Sequence, residues 1–314
     1  MKSSPSTFFN VPILFLVFNR LDTTIKVFES IRNAKPRKLY IAADGARESV
    51  VNESSAVSSV RAFVIDNIDW ECEVFTLFRR DNLGCKKAVI GAIDWFFDHE
   101  EMGVILEDDC LPNQSFFGYC ENLLNRYKDT SEIFLISGYG DQELSGYFDS
   151  DYSFTKYPMI WGWATWKRVW DKYDSSIHDW KKDKESILNN ISSRKETRRY
   201  WEDVLQSAYD EKIDTWDYQL AYLLFSSHGK CILPRENLVS NIGFGINATH
   251  TKDVSSNLAN RASYNIGTRL QHPCEIIIND EIDNYLDKNL FCKKSFLIRV
   301  VDKAVRMLVN RKFL

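Results

Sequence analysis

"VPILFLVFNRLDTTIKVFESIRNAKPRKLYIAADG", residues 11–45, changes its hydrophobic period twice. Residues 11–19 are apolar almost without a break, which is how a strand buried on both faces reads. From 22 to 34 the apolar residues Ile25, Phe28 and Ile31 recur at helical spacing, behind an expected Asp22/Thr23 cap. "KLYIAADG" (38–45) is then a second strand, ending in Asp-Gly. Strand, helix and strand in that order predict a parallel pair joined by a crossover helix.

The alternation continues with a helix over 54–66, a strand over 72–78 and a helix over 86–99. A strand at 103–107, a helix at 115–127 and a strand at 132–139 follow. The expected fold is α/β, a Rossmann-like, mainly parallel sheet with helices on both faces. Beyond residue 150 the pattern loosens into aromatic loops, with a helix over 217–227, a strand over 230–233 and a Gly/Asn-rich loop over 240–250. No repeat or flexible linker interrupts it, so one domain is expected over 1–285, followed by a basic amphipathic helix over 286–314. In 293–314 seven Lys and Arg stand against Asp302, beside an apolar stripe that includes Phe296, Val300 and Leu308. An anionic membrane surface attracts such a helix, and a terminal helix packed on its own domain has the same pattern.

A net charge of −4 argues against a general nucleic-acid binder, and no nucleic-acid partner is expected. The nine Trp among 14% aromatic residues suit either a core or a pocket that stacks flat ligands. Seven cysteines, an odd number without a C-x-x-C pair, suggest neither a disulfide framework nor a zinc site. Buried free thiols in a reducing cytoplasm are expected instead. Lys2 before "VPILFLVF" imitates a signal peptide, but no small-residue cleavage site follows, and the run is too short to span a bilayer.

Ligands of open α/β sheets sit beyond the carboxyl ends of the strands. Asn19-Arg20 follow the first strand, Asp44-Gly45 the second, and Glu107-Asp108-Asp109 the fourth. An Arg binds phosphate oxygens through its planar fork, and an Asp accepts from a base N–H. Clustered carboxylates suit ribose hydroxyls and a hard divalent cation. Together they describe a nucleoside-diphosphate site with Mn²⁺ or Mg²⁺. Each has a plainer reading alone: Arg20 as a surface or capping residue, Asp44-Gly45 as a turn, the triplet as a solvated loop. Coincidence at three strand ends favours the site. No G-x-G-x-x-G follows the first strand, no P-loop is present, and the first loop lacks the Gly/Arg-rich signature of sugar-1-phosphate nucleotidyltransferases.

"VPILFLVFNR" (11–20), "YIAADG" (40–45), "VILEDDCLPNQSFF" (104–117), "ISGYGD" (136–141) and "YPMIWGWATWKRVW" (157–170) resemble successive blocks of the N-acetylglucosaminyltransferase I family. The resemblance spans about residues 10–250 in the order and spacing of short blocks. It implies a GT-A fold, a nucleotide-sugar donor, most simply a UDP-sugar, and inversion at the anomeric carbon. Carried over, Asp109 contacts the metal, Glu107 and Asp108 face the ribose, Arg20 binds phosphate and Asp44 contacts uracil. The family's base falls on Asp217 in "DTWDYQLAY" (214–222), where Asp214 as an N-cap and Asp217 as a first-turn carboxylate are the plainer readings.

Trp161, Trp163 and Trp166 of "IWGWATW" (160–166) read as sugar-stacking faces or as core. His250 in "SNIGFGINATH" (240–250) reads as a diphosphate contact or a surface residue. Family members from eukaryotes carry an N-terminal membrane anchor, which is not expected here, and the basic C-terminal stretch has no counterpart in the family's catalytic pattern. The expectation is a cytoplasmic hexosyl- or N-acetylhexosaminyltransferase at the inner face of the plasma membrane, acting on a lipid-linked glycan in surface-polysaccharide synthesis. A non-catalytic nucleotide-sugar or glycan-binding protein and a divalent-metal phosphohydrolase are the alternatives.

Overall fold

The computed structural model describes residues 8–244 and 260–292. Its first half alternates β1 (Ile13–Val17), α1 (Leu21–Ala34), β2 (Lys38–Ala43), α2 (Glu53–Asp66), β3 (Glu73–Phe78), α3 (Cys85–Phe97) and β4 (Met102–Glu107). There follow β5 (Cys110–Pro112), α4 (Gln114–Arg126), β6 (Ile133–Ser137), β7 (Tyr152–Thr155), β8 (Trp163–Trp166) and α5 (Lys167–Trp170). The described chain ends with α6 (Trp180–Ile191), α7 (Lys195–Tyr209), α8 (Asp217–Ser226), β9 (Lys230–Pro234), β10 (Val239–Asn241) and α9 (Asp280–Asn289).

Eight strands form one sheet in the order β3-β2-β1-β4-β8-β6-β9-β7. β3, β2, β1 and β4 are mutually parallel, and β6 pairs parallel to β9. β8 runs antiparallel between β4 and β6, and β7 lies antiparallel on β9. The sheet is therefore mainly parallel and flanked by helices, as the alternation predicts. All five residues of β1 are buried, because neighbours cover both faces of a central parallel strand. Each such Ile or Leu contributes roughly 1.5–3 kcal/mol by leaving water.

Asp22 and Thr23 do not cap α1; the helix begins at Leu21, and the Thr24 hydroxyl donates back to the Arg20 carbonyl at 2.6 Å. Asp22 lies in the first turn, where a carboxylate favours the helix dipole. α4 has a true side-chain cap: Asn113 Oδ1 accepts from the Ser115 and Phe116 N–H groups. Just before it, β5 pairs antiparallel with β10, Cys110 opposite Asn241, and this small ribbon holds the chain that leaves the carboxylate triplet.

A second apolar cluster, with Trp180, Trp201, Leu205 and Phe225, lies under α6, α7 and α8. α9 docks there through Ile282 and Leu286 and through buried Asp283 and Asp287, which accept from the Thr155, Tyr157 and Ser192 hydroxyls. α9 runs across residue 285, where the sequence places its division between domain and tail. The basic stretch 293–314 lies outside the described residues. Among those described, no helix is long and apolar enough to cross a membrane.

The seven cysteines are unbridged, but only Cys110, Cys120 and Cys231 are buried, and Cys274 is exposed. The expectation of buried thiols is corrected to that extent: burial follows from an element packed into the core, and residue 274 sits on an irregular surface segment.

Candidate functional site

The C-terminal ends of β1, β2, β3 and β4 open onto one cavity of about 560 Å³. Arg20 stands after β1, Asp44 and Arg47 after β2, Arg79 after β3, and Glu107 and Asp108 at the end of β4; all six line it. Parallel register brings them together: Phe15 pairs with both Ile41 and Leu106, so the residues that leave these strands emerge side by side. The inner wall is Leu16, Ala42, Ala88, Val89 and Ala92, small or apolar side chains that leave a slot beneath α3.

Charge is unevenly matched around this space. Arg20 Nη2 donates to Asp108 Oδ1 at 2.6 Å and to Asp109 Oδ2 at 2.8 Å. Burial lowers the Arg20 pKa, but the two carboxylates outweigh it and hold the guanidinium charged. Among the described residues no cation pairs with Glu107. Burial and then the charges of Asp109, Asp108 and Asp217 push its carboxyl up to about 8. Burial likewise raises Asp108, to about 6, against the pull of Arg20. Asp108 and Asp109 are 4% and 9% exposed, so water does little to dilute the repulsion.

Two other acids are satisfied by backbone. Leu83 N–H donates to Asp44 Oδ2 at 2.9 Å and Gly84 N–H to the same oxygen at 3.2 Å. Cys85 N–H donates to Asp214 Oδ2 and Lys86 N–H to Asp214 Oδ1, each at 3.0 Å. Asp214 thus caps α3, a helix distant in sequence, rather than α8. Cys85 lies among these acids; burial first, then Glu107, Asp214, Asp217 and Asp44, push its thiol up to about 12. It is no thiolate nucleophile.

Sequence reasoning missed Arg47, Arg79 and Glu53. Glu53, 3% exposed, accepts from Asn19 Nδ2 at 2.8 Å and from the Arg47 N–H at 2.7 Å, and it also binds the Arg47 guanidinium. Those bonds lower its pKa and join the loops after β1 and β2. Arg79 donates to the Ala88 carbonyl at 3.0 Å, and none of the ion pairs among the described residues uses it. "FRRDN" (78–82) after a strand is a legible signal for Arg79, while nothing local marks Glu53 as buried.

Of the expected site residues, the structure brings Arg20, Asp44, Glu107 and Asp108 to the cavity. Asp109 sits at its edge, bonded to Arg20 and packed so closely on Gly243 that a Cβ there would meet Asp109 Oδ2 at 2.0 Å. Asp217 opens α8, takes the Thr215 hydroxyl, and its charge reaches Glu107. His250 lies outside the described residues. Trp163 and Trp166 are core, at 1% and 3% exposure, while half-buried Trp161 meets Tyr139 and Phe244 edge-on.

Among the described residues, no three His, Cys, Asp or Glu are arranged to enclose a metal ion by themselves. The donor set fits the other mode of hard-cation binding, in which one or two carboxylates share the ion with substrate phosphates. Acids forced together with a single guanidinium are the charge arrangement such an ion relieves.

No protein-family model matches the chain, and no curated protein matches it. Among solved structures it is similar to a UDP-glucose pyrophosphorylase complexed with UDP-glucose, with 11% identity and a TM-score of 0.36 over 72% of this chain and 90% of that one. A likeness of that size bears on neither ligand nor activity.

Proposed function

We propose that the chain is a metal-dependent, inverting glycosyltransferase of the GT-A type, moving a sugar from a UDP-sugar to a hydroxyl of a glycan. The observation that carries this reading is the convergence of Arg20, Asp44, Glu107 and Asp108 on one cavity, with the Asp217 charge in reach of Glu107. The sequence resemblance assigns roles to the same residues. The slot beneath α3 has the apolar walls a nucleobase needs, and Asp44 is among the residues that line the cavity.

In this reading Arg79 and Arg47 attract the diphosphate, and Glu107 and Asp108 accept from ribose hydroxyls. Mn²⁺ or Mg²⁺ held at Asp109 would neutralise the departing diphosphate. The acceptor oxygen bonds to the anomeric carbon as the bond from that carbon to the phosphate oxygen breaks, its electron pair leaving with UDP. Asp217 takes the proton of the attacking hydroxyl. The basic stretch 293–314 is the ground for proposing a lipid-linked acceptor at a membrane face.

Thermal-shift titration of UDP, ADP and UDP-sugars, each with and without Mn²⁺, tests the reading. The expected result is metal-dependent stabilisation by UDP compounds, and about 100-fold or greater loss of turnover in Asp217→Asn with UDP binding kept. Stabilisation without turnover would mark a binding protein, and phosphate release without an acceptor a phosphohydrolase. No metal-dependent stabilisation by any nucleoside diphosphate would sink it.

A further inference from the structure

Four consecutive N–H groups, those of Leu83, Gly84, Cys85 and Lys86, are shared between two carboxylates that come from opposite sides. Asp44 at the end of β2 takes the first pair, and Asp214 ahead of α8 takes the second. Gly84 between them has φ +81°, and a Cβ there would come within 2.9 Å of Asp214 Oδ2. Both its dihedral and the approach of Asp214 call for glycine.

From Asp214 the chain reaches Asp217 through two further anchored residues. The Thr215 hydroxyl donates to the Asp217 carboxylate. The Trp216 ring stacks on buried Trp163 with centroids 5.6 Å apart and planes at 20°. The Tyr173 hydroxyl donates to the Trp216 carbonyl at 2.9 Å. Residues 214–217 therefore form a strut. One end, Asp214, is in the cavity wall beside Gly84 and Cys85, and the other is the Asp217 carboxylate.

We propose that Asp214 is a positioning residue: its two bonds to the first turn of α3 set where Asp217 stands relative to a donor in the cavity. The inference rests on Asp217 as the base. Nothing in the strut contacts the nucleotide slot except Asp214, whose oxygens are already engaged by backbone. Its loss should thus shift the base while leaving the nucleotide's own contacts in place.

The test measures UDP release from UDP-glucose, UDP-galactose and UDP-N-acetylglucosamine with Mn²⁺, using water and methyl glycosides as acceptors. UDP affinity is followed in parallel by calorimetry. Asp214→Ala should lower kcat about 10- to 100-fold, the scale of a small misplacement of a reacting group, with UDP affinity almost unchanged. Asp214→Asn, whose amide oxygen still accepts, should fall between, and it serves if the alanine variant does not fold. Full kcat in Asp214→Ala, or UDP affinity falling as far as kcat, would overturn the strut while Asp217→Asn stayed inactive. Full activity in Asp217→Asn would remove the base itself, and the role of Asp214 with it.

Discussion

Two sets of carboxylates border the same cavity and are treated in opposite ways. Asp44 and Asp214 receive four backbone N–H groups between them, which is a complete settlement for two acids at a helix start. Asp108 and Asp109 share one guanidinium, Glu107 is paired with no cation among the described residues, and two of the three are pushed toward protonation. The first set closes a structure; the second leaves charge for something to answer. Removing an acid from the first set should cost stability, and neutralising Glu107, the unpaired acid of the second, should recover it.

The largest effect is expected from Arg20→Met. It leaves Asp108 and Asp109 buried without their cation, a loss of about 3 kcal/mol, which Mn²⁺ should partly restore in a melting experiment. Stabilities equal to wild type would mean that the triplet needs no cation. Asp44→Ala comes next. It removes the acceptor of the Leu83 and Gly84 N–H groups, which lie near the surface, at about 0.5–1.5 kcal/mol, and divalent ions should not repair it. Rescue by Mn²⁺ would erase the distinction between the two sets.

The smallest effect is Glu107→Gln, and its sign is the informative part. The folded protein holds a proton on Glu107 up to about pH 8, while an unfolded chain loses it near the ordinary glutamate value of about 4.5. Between those values the native state binds more protons than the unfolded one. This group's contribution is thus fully present below the lower value and declines as pH rises toward 8. Glu107→Gln should therefore melt higher than wild type at pH 8, match it near pH 5, and bind UDP more weakly. A lower melting temperature at pH 8 would show that Glu107 already has its cation in the protein alone.

Much of this was legible beforehand because central parallel strands are buried on both faces and so read as unbroken apolar runs. β1 and β2 fall inside the predicted segments for that reason, β4 begins one residue before its own, and Arg20, Asp44 and the triplet follow as strand-end residues. β8 was not legible. "WATW" is apolar whether it packs as a strand or as a loop, and its antiparallel place between β4 and β6 depends on partners distant in sequence. By sequence alone Trp163 and Trp166 therefore fit a sugar platform and a core equally well. The ribbon of β5 and β10 pairs residues 110–112 with 239–241, a contact no local pattern announces.

Asp214 and Glu53 make the same point with single residues. Each looks like an ordinary acid at a helix start, Asp214 before α8 and Glu53 as the first residue of α2. Folding sends Asp214 to another helix and buries Glu53 under Arg47 and Asn19. The sequence by itself determined the βα alternation, the parallel half of the sheet and the acids and arginines at its edge, because periodicity and strand ends are local properties. Which of those acids are spent on backbone and which remain unanswered was decided only in three dimensions. A carboxylate's state depends on the donors and charges that reach it through space, and those arrive from elsewhere in the chain.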